Sequence, residues 1–357
     1  MVISMDRIGL LTFHRTTNFG SYLQTYGLFR EIRNLGFDCE IIDYRCPSIE
    51  ERENLQKMVG HNVKSILKAL LLQPAYNKKA AALEDFSTHN MTFSKPFVPD
   101  NIEDANDLYD RFIVGSDIVW GLDITDCDYN FFLKFAADEK KKFAFSSSVG
   151  TETMEHKDEV KPLLRRFDRI AVREYSAVEW VKKVSNCNAD WVCDPTMLLT
   201  VNEWRSAIPF EQIEKDYVLI YFNNPGKKAL RDAIEFANKY HKKVLYVNHG
   251  LPEKGVVNIK PKSLNEFLSL ICYADHIFTA SYHGMLFSLY FNKEMTFYTR
   301  DHASRMISLA ERLGIQGQCG DSSTIENFQC MSYKAINERI DEFRNASINI
   351  LKEMLVS

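Results

Sequence analysis

Short apolar runs of strand length alternate with helical patterns along almost the whole chain, and this alternation limits the folds open to it. In the first half the runs are RIGLLTF (7–13), CEIIDY (39–44), RFIVG (111–115), KFAFSSS (142–148), RIAVR (169–173) and ADWVCD (189–194). Helical spacing falls between them, at Ser21 to Leu35, Glu155 to Phe167 and Glu174 to Val184. The runs are too apolar for a sheet with one wet face, so they predict parallel strands covered by helices on both sides.

The pattern starts again after the polar stretch NEWRSAIPFEQIEKD. YVLIYF (217–222), KVLYVN (243–248), HIFTA (276–280) and EMTFY (294–298) read as strands. Helices are expected at Lys227 to Tyr240, Ser263 to Tyr273, His283 to Phe291 and Ser304 to Leu313. With 357 residues, 45% of them hydrophobic, the chain has material for two cores. The expected division is an N-terminal Rossmann-like domain over 1–200 with a helical insertion at 49–105, a second over 201–330, and a C-terminal helix over 331–357. In that last helix Ile336, Ile340, Phe343, Ile350 and Met354 recur with a helical rhythm and demand a surface to dock on.

Charge and cysteine content remove some functions. A net charge of -4 supplies no basic field for a nucleic-acid backbone, so no nucleic acid is expected as a partner. The eight cysteines are scattered, without C-x-x-C or zinc-ligand spacing, which predicts reduced thiols, no metal and a cytoplasmic setting. MVISMDRIGLLTF reads as a first strand, not a signal peptide. One cationic amphipathic stretch, Asn62 to Gln73, suits a membrane surface, at the inner face of the membrane in a cytoplasmic protein. The expected arrangement is that its Ile66, Leu67, Leu70 and Leu71 pack on a domain, because buried helical faces are the commoner kind.

In open parallel sheets, ligands bind beyond the carboxyl ends of the strands. After the first strand, Asn18 and Gly20 form a turn and Ser21 can cap a helix whose free N–H groups suit an anion; an ordinary capped turn explains them equally. Ser116 and Asp117 come directly after RFIVG, with Trp120 as a flat surface for a sugar; Asp117 as a simple cap is the alternative. Arg173 ends its strand with a fork of donors matched to phosphate or carboxylate, or else forms a salt bridge with Glu174 or Asp168. His283, beside Ser281, Tyr282 and Gly284, opens a helix straight after HIFTA, and imidazole is the side chain best suited to proton transfer near neutral pH. Arg300 and Arg305 lie further along, and a cation at a helix start such as Arg305 is explained by a nearby anion or by surface exposure.

Taken in order, NFGSYLQTYGL, IVGSDIVW, FAFSSSVG, AVREYSA, DPTMLL and SYHG resemble the polysaccharide pyruvyl transferase family over roughly residues 7 to 315. The resemblance implies two Rossmann-like domains similar to the GT-B glycosyltransferase architecture, with the C-terminal helix docking back. It also implies transfer of pyruvate from phosphoenolpyruvate, as donor substrate, onto a sugar of a bacterial surface polysaccharide or its lipid-linked precursor, giving a cyclic ketal and phosphate without a cofactor. His283 matches the family histidine, and Arg173 and Arg305 are the candidates for holding the donor's anionic groups. Some members resemble S-R-x-H where this chain has ASYHG, so Arg300 or Arg305 must replace that arginine, or the donor differs. The alternatives are a nucleotide-sugar glycosyltransferase on the same architecture and a non-catalytic sugar- or anion-binding module. The absence of G-x-G-x-x-G speaks against a dinucleotide enzyme.

Overall fold

The computed structural model describes residues 6–54, 63–222, 227–299, 304–321 and 330–357. The chain divides into two compact units, one of Met1–Gly60, Glu84–Leu199 and Asp341–Ser357, the other of His61–Leu83 and Thr200–Ile340. This departs from the expected boundaries in two places. The whole 49–105 stretch is expected in the first domain, but residues 61–83 cluster with the second unit, and the last 17 residues, 341–357, belong to the first.

The first unit is a six-stranded parallel sheet of β1 (Arg7–Leu11), β2 (Asp38–Ile41), β3 (Arg111–Val114), β4 (Lys141–Ser147), β5 (Arg169–Val172) and β6 (Asp190–Trp191), in the order β2-β1-β3-β4-β5-β6. Its helices are α1 (Phe19–Asn34), α2 (Pro47–Arg52), the end of α3 (Val63–Asn90), α4 (Leu122–Thr125), α5 (Lys157–Leu164) and α6 (Tyr175–Ser185). β3 and β5 bury every residue after their first, as strands covered on both faces must. Asn18 caps α1 by accepting from the Gly20 N–H at 2.8 Å. Further along, the helix passes so close to the 3₁₀ turn Pro195–Met197 that a Cβ on Gly27 would lie 2.5 Å from the Pro195 carbonyl oxygen.

The second unit is a five-stranded parallel sheet of β7 (Tyr217–Tyr221), β8 (Lys243–Val247), β9 (Val257–Ile259), β10 (His276–Thr279) and β11 (Met295–Phe297), in the order β11-β10-β7-β8-β9. Its helices include α7 (Val201–Ala207), α8 (Lys227–Lys239), α9 (Leu264–Cys272), α10 (Tyr282–Tyr290), α11 (Ser304–Leu313) and the start of α12 (Tyr333–Val356). α10 is buried along its whole length, which explains why its sequence is apolar all round. β9 is not expected from the sequence: it is a three-residue edge strand, partly exposed, with no apolar run to mark it.

The end of α12 docks on the first unit, as its rhythm predicts. Ser347 Oγ accepts from the Cys193 N–H at 2.9 Å, Arg169 pairs with Glu353 at 2.6 Å, and Phe343 meets the Trp191 ring edge-on at 5.4 Å. The four residues Ile66, Leu67, Leu70 and Leu71 of α3 contradict their expected packing. They are 49%, 57%, 63% and 74% exposed, because the helix turns Ala69 and Leu72 inward instead. Among the described residues no helix is long and apolar enough to cross a membrane.

Candidate active site

Each sheet has one place where neighbouring strands send their connecting segments to opposite sides, and such a switch point opens a crevice at the carboxyl edge. In the first sheet it lies between β1 and β3, in the second between β7 and β10. Asn18, Gly20, Ser116 and Asp117 follow the two strands at the first of these, and His283 with its neighbours follows β10 at the second.

In the first unit a single guanidinium gathers the polar motifs. Arg173, next after β5, is completely buried; its Nη1 donates to Gln24 Oε1 at 2.8 Å and to Asp194 Oδ2 at 2.9 Å. Asp117 stands 3.8 Å from Nη2 and Glu174 4.0 Å from Nε. Asp194 also caps the next turn, accepting from the Thr196 N–H at 2.9 Å and hydroxyl at 2.7 Å. Glu174 accepts from Ser148 Oγ at 2.8 Å and the Val149 N–H at 3.1 Å. The helix after NFG, the GSD turn, the serine run and the VRE and DPT segments therefore meet at one buried network.

That arrangement corrects the phosphate-holding expectation for Arg173. Three carboxylates surround it and no part of its side chain reaches solvent, so its charge is met inside the fold. Trp120 is corrected too. It lies in the core, stacked on Phe132 at 5.3 Å and 8°, and its indole N–H donates to the Phe131 carbonyl at 3.0 Å, leaving no face for a sugar. Asn18 is exposed and Gly20 is buried within α1. Asp117 is half-buried, held by Ser21 Oγ at 2.6 Å and by the Ile118 N–H at 2.8 Å, with a left-handed φ of 77°. Ser116 is buried, and its carbonyl accepts from Thr12 Oγ1 at 3.1 Å. Gly115 before it is obligatory: φ is 123°, and a Cβ would overlap the Phe145 carbonyl oxygen.

Sequence reasoning misses a buried pair in this unit. His14, just past β1, places Nε2 2.9 Å from Asp43 Oδ1, while Arg45 grips the same carboxylate at 2.6 Å and 2.8 Å. Burial alone raises the Asp43 carboxyl, but the hydrogen bonds from His14 and Arg45 outweigh it and hold the group well below the usual carboxylate range.

In the second unit the SYHG stretch forms the junction of β10 and α10. Ser281 caps the helix, accepting from the Gly284 N–H, and its own N–H donates to Thr279 Oγ1 at 3.0 Å. Thr279 Oγ1 donates in turn to the Tyr221 carbonyl at 2.7 Å, tying the junction to β7. A Cβ on Gly284 would overlap Thr279 Oγ1 and come within 2.7 Å of the Tyr221 ring, so only glycine lets the first turn settle onto the strands. Burial pushes the Tyr221 phenol up to about 12, against the opposing hydrogen bond to Ser281. The ring stays neutral.

His283 sits in the first turn of α10, 9% exposed, with the Tyr282 ring edge-on at 5.7 Å. The Arg305 guanidinium, from the first turn of α11, lies 5.5 Å from the centre of the Tyr282 ring. Ser281, Tyr282, His283 and Arg305 are thus brought together, whereas Arg300 lies outside the described residues. Beyond β11, Tyr298 donates to Asp232 Oδ2 at 2.8 Å, and Lys228 reaches the same oxygen at 2.7 Å, a group that the sequence does not single out. Among the described residues no three His, Cys, Asp or Glu side chains are grouped so as to hold a metal ion.

The family model described as polysaccharide pyruvyl transferase matches residues 18–302. No curated protein matches the chain. Among solved structures, the UDP-GlcNAc 2-epimerase from Neisseria meningitidis bound to UDP-GlcNAc is similar at 12% identity and a TM-score of 0.50, covering 99% of this chain and 100% of that one. UGT89C1 from Arabidopsis thaliana, complexed with UDP-L-rhamnose, is similar at 12% identity and a TM-score of 0.51, with 99% of each chain covered. At such identity the likeness concerns the fold alone: two parallel-sheet α/β units in the GT-B manner.

Proposed function

Because the chain belongs to the polysaccharide pyruvyl transferase family, we propose that it transfers pyruvate from phosphoenolpyruvate to two hydroxyls of a bacterial glycan or its lipid-linked precursor. The observation that carries this reading is the grouping of His283, Tyr282 and Arg305 at the switch point of the second sheet.

The chemistry balances without a redox partner or cofactor. A proton delivered to the methylene carbon turns it into a methyl group and leaves the adjacent carbon oxocarbenium-like. One sugar hydroxyl attacks that carbon and sheds its proton. The second hydroxyl then closes the ring as the C–O bond to phosphate breaks, and its proton leaves with the departing phosphate, giving a cyclic ketal and inorganic phosphate. His283 is assigned the proton transfer, which needs a group able to give and take a proton near neutrality. Arg305 is assigned the donor's carboxylate or phosphate, in place of the arginine that ASYHG lacks. The reaction is assigned to the cytoplasm, where phosphoenolpyruvate is available.

The test is calorimetric titration of phosphoenolpyruvate into the full chain, with UDP-galactose and inorganic phosphate as comparators. Saturable binding of phosphoenolpyruvate that weakens about tenfold or more in Arg305→Ala is expected, the usual loss for one charge-assisted contact. His283→Gln should keep that binding and lose phosphate release in the presence of acceptor glycans. Binding of UDP-galactose without phosphoenolpyruvate would instead indicate a nucleotide-sugar enzyme. Unchanged turnover in His283→Gln would remove the assigned proton-transfer role.

A further inference from the structure

We infer that the outer face of α3 is a docking surface for anionic lipid, which seats the protein on a membrane without spanning it. Most of the other exposed large apolar residues described, such as Val98, Met154, Ile213 and Leu251, are scattered singly, as on any soluble protein. Ile66, Leu67, Leu70 and Leu71 differ, because the spacing i, i+1, i+4, i+5 puts all four on one side of the helix. Their exposure rises from 49% to 74% along that side, while Ala69 and Leu72 pack inward. The helix therefore has an apolar face that the fold uses and a second that it does not.

Charge decides the occupant. Residues 63–83 contain Lys64, Lys68, Lys78 and Lys79 and no acidic residue, in a chain whose net charge is -4. A second copy of the chain on this face would oppose these lysines with lysines, and no carboxylate in the segment would answer them. Four aliphatic side chains also supply only a few hundred Å², roughly, against about 800 Å² per partner in a stable protein interface. An anionic bilayer answers both features, since the exposed apolar residues enter the interface and the positive charge of the segment favours anionic headgroups. An attachment of this size is reversible, because one short apolar face gives only part of the affinity of a permanent anchor. Such seating would bring the protein to a lipid-linked acceptor, but the inference does not depend on the donor assigned above.

The experiment is flotation of the full chain with vesicles of phosphatidylcholine alone and of phosphatidylcholine mixed with phosphatidylglycerol, with light scattering in parallel. The wild type should float with the anionic vesicles and remain behind with the neutral ones. Leu70→Glu/Leu71→Glu should lower partitioning about a hundredfold, with melting temperature and phosphoenolpyruvate binding unchanged because both positions face outward. Lys78→Glu should lower it about tenfold and weaken its dependence on salt. Failure of the wild type to float, or equal flotation of the leucine variant, overturns the inference. So does a wild-type dimer that the leucine variant dissolves, which would give the face to a second copy. None of these outcomes bears on donor chemistry.

Discussion

Two arginines that look interchangeable in the sequence differ in what surrounds them. Arg173 ends a strand and Arg305 begins a helix, and from sequence both read as anion holders. The first is sealed among Asp117, Glu174 and Asp194, the second lies half-exposed over the Tyr282 ring. Removing Arg173 strands Asp194, itself fully buried, so Arg173→Ala should cost about 3–5 kcal/mol in urea unfolding of the first unit. Arg305→Ala should cost under about 1 kcal/mol and act on ligand binding instead. Equal stability losses in the two variants would contradict this division of roles. The sequence identifies both positions but cannot separate them, because two of the three carboxylates that claim Arg173 arrive from the ends of other strands. Trp120 misleads for a similar reason: the Phe132 ring that stacks on it belongs to a later turn of chain, and no periodicity shows that they meet.

At the scale of elements, strands are legible wherever both faces are buried, and boundaries shift only where the chain turns early. The run ADWVCD contributes only Asp190 and Trp191 to the ladder, since the cap at Asp194 bends Pro195–Met197 into a 3₁₀ turn. β10 opens on a residue that its apolar pattern does not flag. His276 is buried against Phe236 and Phe278, with Nε2 3.0 Å from Thr296 Oγ1, and burial holds its pKa down at about 3. In the unfolded chain the ring takes a proton below about pH 6.5, while in the fold it stays neutral until about pH 3. It therefore costs nothing above pH 6.5, and its penalty grows as pH falls toward 3. At pH 5 that amounts to about 2 kcal/mol. His249, held down at about 3 by burial and then by Lys79 and Lys260, acts in the same direction. His276→Asn should be less stable than wild type at pH 7 yet lose less between pH 7 and pH 5, as read from urea midpoints at each pH. Parallel pH profiles for the two proteins would rule the mechanism out.

At the scale of the whole molecule, chain order and structural membership part company. The sequence shows a final helix in need of a surface but not which one, because a 3.6-residue rhythm records that a face is buried and says nothing of its partner. α12 gives its first turns to the second unit, where Arg339 donates to the Leu313 carbonyl at 2.6 Å, and its remainder to the first. Phe343, Leu351, Met354 and Leu355 are buried there, and Arg111 reaches the Ser357 carbonyl at 2.9 Å. Burying a large aliphatic or aromatic side chain contributes about 1.5–3 kcal/mol, so these four together contribute about 6 kcal/mol or more, on the order of a domain's net stability. A chain ending at Ile340 should therefore lose the folded first unit, or melt it at least about 10 °C earlier, although every strand of that sheet is intact. The indole of Trp191 reports the event directly, because its edge-on contact with Phe343 is cut away. Supplying residues 341–357 as a separate peptide should restore part of the transition. If the shortened chain kept the wild-type melting temperature by Trp191 fluorescence, the last turns would be a covering of the first unit and not part of its core.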